Sequence, residues 1–232
     1  MQKQKFLVIS PHPDDLDFAC AGTIAKLTRE GNIVEELIIS DGSKGSHKLG
    51  FGGRKLAKIR EAEEIAAAVI LGALKVHFLR EIDGEVENTR ELRKKLVEKI
   101  REIRPDIVLS FDPAGLSFES VYRSHRDHRM AAEAVFDALY PAAGNASFFP
   151  ELLKKGVLPH KSREVWFFSA LRPNKFVNIE KTIELKLRAL QCHKSQIAEG
   201  VSMAKRIRER AKDTAKGKRM KYAESFRVIE LD

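Results

Sequence analysis

Cysteine is nearly absent: Cys20 and Cys192 are the only two in 232 residues, and no CxxC pair occurs. A disulfide framework and a cysteine-rich zinc site are therefore excluded, and any metal has to be held by His, Asp or Glu. No apolar run approaches membrane-spanning length, and the opening MQKQKF lacks the long apolar region and small-residue cleavage site of a secretory signal. The expectation is a cytoplasmic protein with no membrane partner. Internal repeats and low-complexity linkers are missing as well, so one domain is expected over residues 1–232, with 181–232 as a C-terminal helical extension of it.

Acidic charge is in deficit, and the formal net charge is +9. Between Val201 and Tyr222 nine basic residues face only Glu209 and Asp213, so most of the excess lies near the C-terminus. Aromatic residues are not interleaved there as they are in single-strand binders, and the patch reads as a solvated helix face. Nucleic acid is not the expected partner; a basic nucleic-acid-binding protein is the competing reading, and steep salt dependence would mark it.

With 43% hydrophobic residues the chain has ample material for a core. Apolar runs predict strands at Phe6 to Ser10, Val34 to Ser40, Val76 to Leu79 and Ile107 to Phe111. Amphipathic spacing predicts helices between them, at Cys20 to Glu30, Lys55 to Leu71 and Thr89 to Arg104, with Gly31, Gly72 and Pro105 as stops. After an irregular segment from Asp112 to Ser124, a helix is expected from His125 to Leu139. Strands at Val165 to Ser169 and Phe176 to Ile179, then helices at Lys181 to Ile197 and Ser202 to Lys216, complete the pattern. This is a Rossmann-like α/β fold: a mostly parallel sheet sandwiched by helices, with additional C-terminal strands and helices.

Ligands of such sheets bind beyond the carboxyl ends of the strands, where strand order reverses. Directly after the first strand stands Ser10-Pro11-His12-Pro13-Asp14-Asp15-Leu16-Asp17, an imidazole with a carboxylate cluster at a rigid turn. With strand order 3-2-1-4, the loop after the fourth strand lies beside it, and that loop leads to Ser124-His125-Arg126-Asp127-His128. Spacing of three puts His125 and His128 on one helix face. A mononuclear metal site needs three protein ligands and an open position, and His12, one carboxylate and one of these histidines supply them. One of Asp14 and Asp15 is then left as a base, the spare histidine can stabilise an oxyanion, and Asp127 can orient it.

Two other features compete for attention. The glycine-rich stretch from Gly42 to Gly53 matches neither GxxxxGK[ST] nor GxGxxG, and reads as a loop near the crevice whose functional version is a closing lid. Cys192 beside His193 is a poor nucleophile and base pair, because adjacent helical residues diverge, although His193 itself can face the cleft.

Strand-PHPDD, the helix bearing Ala21-Gly22-Thr23-Ile24, the Arg60 to Glu63 segment, Leu79 to Gly84, the HxxH segment, His193-Lys194-Ser195-Gln196 and Tyr222-Ala223-Glu224-Ser225-Phe226 together resemble the PIG-L or LmbE-like family of zinc-dependent N-deacetylases. The resemblance implies one Zn²⁺ per subunit bound by His12, Asp15 and His128, with other divalent transition metals also accepted by such ligands. It implies Asp14 as general base, His125 as the group polarising the amide carbonyl, and a metal-bound water as nucleophile. Arg60, Asp83 and His193 are the substrate contacts it suggests. The reaction it implies is removal of an N-acetyl group from an N-acetylglucosamine-type amino sugar or conjugate. An inactive sugar- or nucleotide-binding member of the fold is the alternative, and a homo-oligomer is left open. Two departures bear on substrate identity: the segment from Asp112 to His125 is long, and Arg126 stands where the family often has proline.

Overall fold

The run Phe6-Leu7-Val8-Ile9 shows no polar alternation, as expected of a strand covered on both faces. The computed structural model describes residues 3–46, 50–115, 121–197 and 201–231. Parts of two segments singled out above, 47–49 in the glycine-rich stretch and 116–120 after the fourth strand, lie outside the described residues.

In chain order the elements are β1 (Lys5–Ser10), α1 (Asp15–Arg29), β2 (Ile33–Ser40), α2 (Gly53–Leu71), β3 (Lys75–Glu81), α3 (Arg90–Ile103), β4 (Ile107–Phe111), α4 (Val121–Ser124) and α5 (Arg126–Asp137). A π-helical turn (Ala138–Ala143) and a 3-10 turn (Pro150–Lys155) lead to β5 (Glu164–Phe168), β6 (Lys175–Asn178), α6 (Ile183–Leu190), α7 (Val201–Ala215) and β7 (Ala223–Glu230). The seven strands form one sheet in the order β3-β2-β1-β4-β5-β7-β6. From β3 to β5 all pairings are parallel, while β7 runs antiparallel to both β5 and β6.

Successive side chains of β1 enter opposite halves of the core. Phe6 and Val8 pack with Leu16 and Ile24 of α1 and with Leu187 of α6, whereas Leu7 and Ile9 pack with Leu96 and Val97 of α3 and Val135 of α5. β4 divides in the same way, with Leu109 on the first side and Val108 on the second. Helices thus cover both faces, and polar loops collect at the strand ends. Among the described residues no helix is long and apolar enough to cross a membrane.

Three boundaries and one added strand differ from the sequence expectation in ways that bear on the site. α1 begins at Asp15 rather than Cys20, because its first turn buries Asp15 and Asp17 and so breaks the amphipathic pattern; Cys20, at φ −145° and ψ 16°, marks the kink. α5 starts after His125, which serves as its N-cap. α6 stops at Leu190, short of Ile197, and the chain turns to carry His193 into the interior. The strand β7, unforeseen in the sequence, is inserted between β5 and β6, so residues 181–232 include an integral part of the sheet.

Candidate metal centre and active site

β1 lies between β2 and β4, and β2 and β4 are reached by connections running in opposite directions, so strand order reverses there. Ser10 ends β1, and the Pro11-His12-Pro13 turn delivers the chain to Asp14, the residue capping α1. Asp14 sits at φ 95° and ψ −28°, a left-handed conformation rare for a residue with a side chain. Across the reversal point β4 runs through its loop to His125, and the first turn of α5 supplies Asp127 and His128. Residues more than a hundred positions apart therefore meet because two neighbouring parallel strands end on the same side.

His12, Asp15 and His128 converge. The Oδ2 of Asp15 lies 3.0 Å from Nδ1 of His12 and 3.1 Å from Nε2 of His128, and it also accepts the backbone N–H of His12 at 3.1 Å. All three residues are buried. Phe111 and Tyr122 wall the His128 ring at centroid separations of 4.4 Å and 4.8 Å, and the Tyr122 hydroxyl donates to the carbonyl of Asp15 at 3.3 Å. His125 is exposed toward the cleft, with its ring centroid 4.9 Å from those of both His12 and His128.

A second carboxylate layer backs His12. Its Nε2 faces Oδ2 of Asp127 at 3.0 Å and Oδ1 of Asp83 at 3.2 Å. Asp127 is held in turn by the N–H groups of Gly84 at 2.7 Å and Val86 at 3.3 Å, and Asp83 by the N–H of Lys44 at 2.8 Å. The Asp127 carboxylate thus orients His12; toward His125 it offers only its backbone N–H, which donates to Nδ1 at 3.2 Å. Asp41, which the sequence reading did not single out, accepts the N–H groups of Ser43 at 3.0 Å and Asp83 at 3.2 Å and so ties the β2 and β3 ends together.

Asp14 stands beside this cluster, its Oδ2 3.2 Å from Nη2 of Arg60. Arg60 is itself buried: Nη2 donates to Pro13 O at 2.7 Å, Nη1 donates to Gly42 O at 3.0 Å, and Nη1 lies 3.9 Å from Asp83. A Cβ on Gly45 would fall 2.3 Å from Arg60 Nη1, so the loop lies over this guanidinium and glycine is needed for that approach. His193 is not at the cleft. It is fully buried, with Nε2 2.7 Å from Asp17 and 3.8 Å from Glu64, and Glu64 is a further buried carboxyl that sequence reasoning missed.

The electrostatics follow from burial and these pairings. Burial pushes the Asp14 carboxyl up to about 6, with Arg60 opposing and Asp15 reinforcing. Burial acts the same way on Asp15, but His128 and His12 outweigh it and hold that carboxyl well below the usual range. In His12 burial disfavours the charged ring, yet hydrogen bonds to Asp127, Asp15 and Asp83 raise it well above its ordinary value. His125 is lowered, first by burial and then by the neighbouring His12 and His128. Two carboxylates in one loop are thereby driven apart, one kept ionised and one poised near neutrality.

The donor set suits a divalent transition metal. The 3.0 Å and 3.1 Å spacings of Asp15 Oδ2 from the two imidazole nitrogens are near the edge of about 3.3 Å expected for donors sharing a tetrahedral ion. The His128 Nδ1 is buried without a hydrogen-bond partner among the described residues. His12 and His128 also cluster with His125, and His12 with Asp83 and Asp127, so ligand atoms crowd both sides of the His12 ring. That a carboxylate pair fixes the far nitrogen of His12 is the arrangement metal-bound histidines commonly show.

The family model described as PIG-L, GlcNAc-PI de-N-acetylase, matches residues 7–139, which span the whole of this cluster. The chain is 41% identical over 198 residues to diacetylchitobiose deacetylase of Thermococcus kodakarensis, covering 85% of this chain and 72% of that protein. It is 30% identical over 215 residues to a probable N-acetyl-α-D-glucosaminyl L-malate deacetylase of Bacillus anthracis, covering 86% of this chain and 84% of that protein. Among solved structures, N,N′-diacetylchitobiose deacetylase from Pyrococcus horikoshii superposes with a TM-score of 0.90 at 31% identity, covering 97% of this chain and 84% of that one.

Proposed function

The chain belongs to the PIG-L family of GlcNAc-PI de-N-acetylases, and from that premise we propose that it is a zinc-dependent hydrolase that removes the acetyl group from an N-acetylglucosamine-type amino sugar. The observation that carries the proposal is the convergence of His12, Asp15 and His128, with Asp14 beside them, at the crevice where strand order reverses. The two relatives whose names specify diacetylchitobiose and an N-acetylglucosaminyl malate support the substrate class. Both cysteines are free, which suits the reducing cytoplasm.

His12, Asp15 and His128 would hold the ion. When bound, it supplies an acidified water and a Lewis acid for the amide carbonyl. Asp14 takes the proton released as water adds to the carbonyl carbon. Its Oδ2 is occupied by Arg60, which leaves Oδ1 for that proton, and a carboxyl poised near 6 is ionised at neutral pH yet basic enough to accept it. The same proton passes to the nitrogen as the C–N bond breaks, so that acetate and the free amine leave together.

His125 meets the carbonyl oxygen. Its Nδ1 accepts the N–H of Asp127, which assigns the proton of the neutral ring to Nε2, and that N–H donates to the negative charge growing on the oxygen. Asp127 and Asp83 keep the His12 ring in place, and Arg60 holds Asp14 from behind. Arg60 and Asp83 border the cleft as buried supports, and a sugar hydroxyl would reach Asp83 more readily than the covered guanidinium.

The test is acetate release from N-acetylglucosamine, N,N′-diacetylchitobiose and related sugars by zinc-loaded protein, with and without chelator. Release that stops on chelation is expected. Asp14→Asn should lower turnover by about 10²- to 10⁴-fold while zinc content is retained. Wild-type turnover in that variant would remove Asp14 from the role of base.

A further inference from the structure

Asp14 is an unusual place for a left-handed residue. A side chain at φ 95° is strained, and it persists only where its surroundings enforce it. The enforcement here comes from α2. Two side chains one helical turn apart grip opposite ends of the Pro13–Asp14 peptide: Arg60 Nη2 donates to the Pro13 carbonyl at 2.7 Å, and the Asp14 N–H donates to Glu64 Oε2 at 2.8 Å. With both its carbonyl and its N–H fixed, the peptide plane cannot rotate, and the direction in which Asp14 leaves α1 is set.

We infer that Glu64 is a positioning residue for Asp14, a buried acceptor that locks the backbone of the base in its left-handed conformation without touching substrate. The inference rests on the reading of Asp14 as the base. Glu64 has no exposed surface, so a direct contact with a sugar is excluded. The same Oε2 lies 3.8 Å from Nε2 of His193, which is itself 2.7 Å from Asp17. The far end of the chain thus braces α2 against the first turn of α1.

The same three side chains, Asp17, Glu64 and His193, also lie close enough to share a cation. Glutamine separates the two uses. Glutamine keeps the length and shape of the glutamate side chain while removing its carboxylate. An amide oxygen still accepts the Asp14 N–H, but an amide is a poor substitute for a carboxylate ligand.

The experiment compares Glu64→Gln with Glu64→Met, which has nearly the same volume and no oxygen acceptor. Steady-state kinetics use zinc-loaded protein and N,N′-diacetylchitobiose. Glu64→Met should lose about tenfold to a hundredfold in kcat with little change in KM and with zinc content intact, whereas Glu64→Gln should stay within about threefold of the parent. Hydrogen exchange over residues 11–17 supplies a readout independent of turnover. The Asp14 amide should exchange at least about tenfold faster in Glu64→Met and stay protected in Glu64→Gln. Should Glu64→Met not fold, Glu64→Ala carries the same expectations. Parental kcat and protection in the methionine variant would overturn the inference, and so would a glutamine variant as impaired as the methionine one, the pattern of a cation site. A fully active Asp14→Asn would strike the assignment of the base instead, and the exchange result would still report on the clamp.

Discussion

The Asp17–His193 pair shows what a single buried imidazole does to the pH response. Both side chains are fully buried and joined at 2.7 Å. Burial opposes charge on the ring, but the hydrogen bond to Asp17 and the charges of Asp17, Glu64 and Asp14 override it and raise His193 to about 9. Glu36, also fully buried, faces Asp17 and Glu64 from β2 and adds a further acid to the same region. The folded state therefore binds this proton more tightly than the unfolded chain, whose imidazole titrates at about 6.5. Stability from the pair is fully present below about pH 6.5 and is lost as pH rises through about 9, an effect of at most about 3 kcal/mol. Urea unfolding at pH 6.5 and pH 9.5 should show the parent losing more stability than His193→Gln over that interval; equal losses would show that the pair does not hold the proton. At this scale the cleft side of the site was legible. PHPDD and HxxH carry it within short windows, and the structure places those residues within hydrogen-bonding distance. The buried side was not: His193 meets Asp17 across 176 positions, and no local pattern distinguishes a histidine that enters the interior from one that lines a cleft.

Elements reach the site through β7 as much as through the strands that carry it. Glu224 of β7 accepts the N–H groups of Gly22 at 3.1 Å and Thr23 at 2.7 Å, just past the kink at Cys20, and pairs with the buried Lys186 of α6 at 2.5 Å. One carboxylate so joins the last strand, the helix that begins at the proposed metal ligands and a C-terminal helix. Removing either charge leaves the other without its counterpart in the interior. Glu224→Ala should cost about 3–5 kcal/mol, and combining it with Lys186→Met should cost less than the sum of the single changes by about 1–3 kcal/mol, both read from urea unfolding. Strict additivity would show the two groups to be energetically independent. The parallel half of the sheet was readable because apolar runs and amphipathic helices alternate with Gly and Pro stops. β7 escaped because Ala-Glu-Ser-Phe-Arg-Val-Ile-Glu is strongly charged and its burial fades along its length, so its strand character comes from the partners on either side. The first turn of α1 escaped for the related reason that its buried positions hold the carboxylates Asp15 and Asp17 instead of apolar side chains.

For the whole molecule, the decisive property is that no single segment contains the proposed metal centre. His12 and Asp15 follow β1 while His128 follows β4, and they meet only when those strands pair in register, Phe6 beside Ile107 and Val8 beside Leu109. An unfolded chain keeps His12 and Asp15 adjacent but separates them from His128 by more than a hundred residues, so it has at most a fragment of the ligand set. An ion that binds the folded state alone stabilises it by about 2.7 kcal/mol at a free concentration a hundredfold above its Kd. For a chain of this length that corresponds to a rise in Tm of roughly 5–10 °C. Zinc added to chelator-treated protein should produce such a rise, and renewed chelation should reverse it. Asp14→Asn should keep most of the shift, because Asp14 faces Arg60 and its loss spares all three proposed ligands. His128→Ala should abolish the shift while leaving the chelated protein within about 2 kcal/mol of the parent, since the ring it removes packs against Phe111, Tyr122 and the other two site histidines and gives up one polar contact, from Nε2 to Asp15 at 3.1 Å. A zinc-dependent rise that survives in His128→Ala would place the ion elsewhere, with the cluster of His12, Asp83 and Asp127 on the opposite side of the His12 ring as the next site to test.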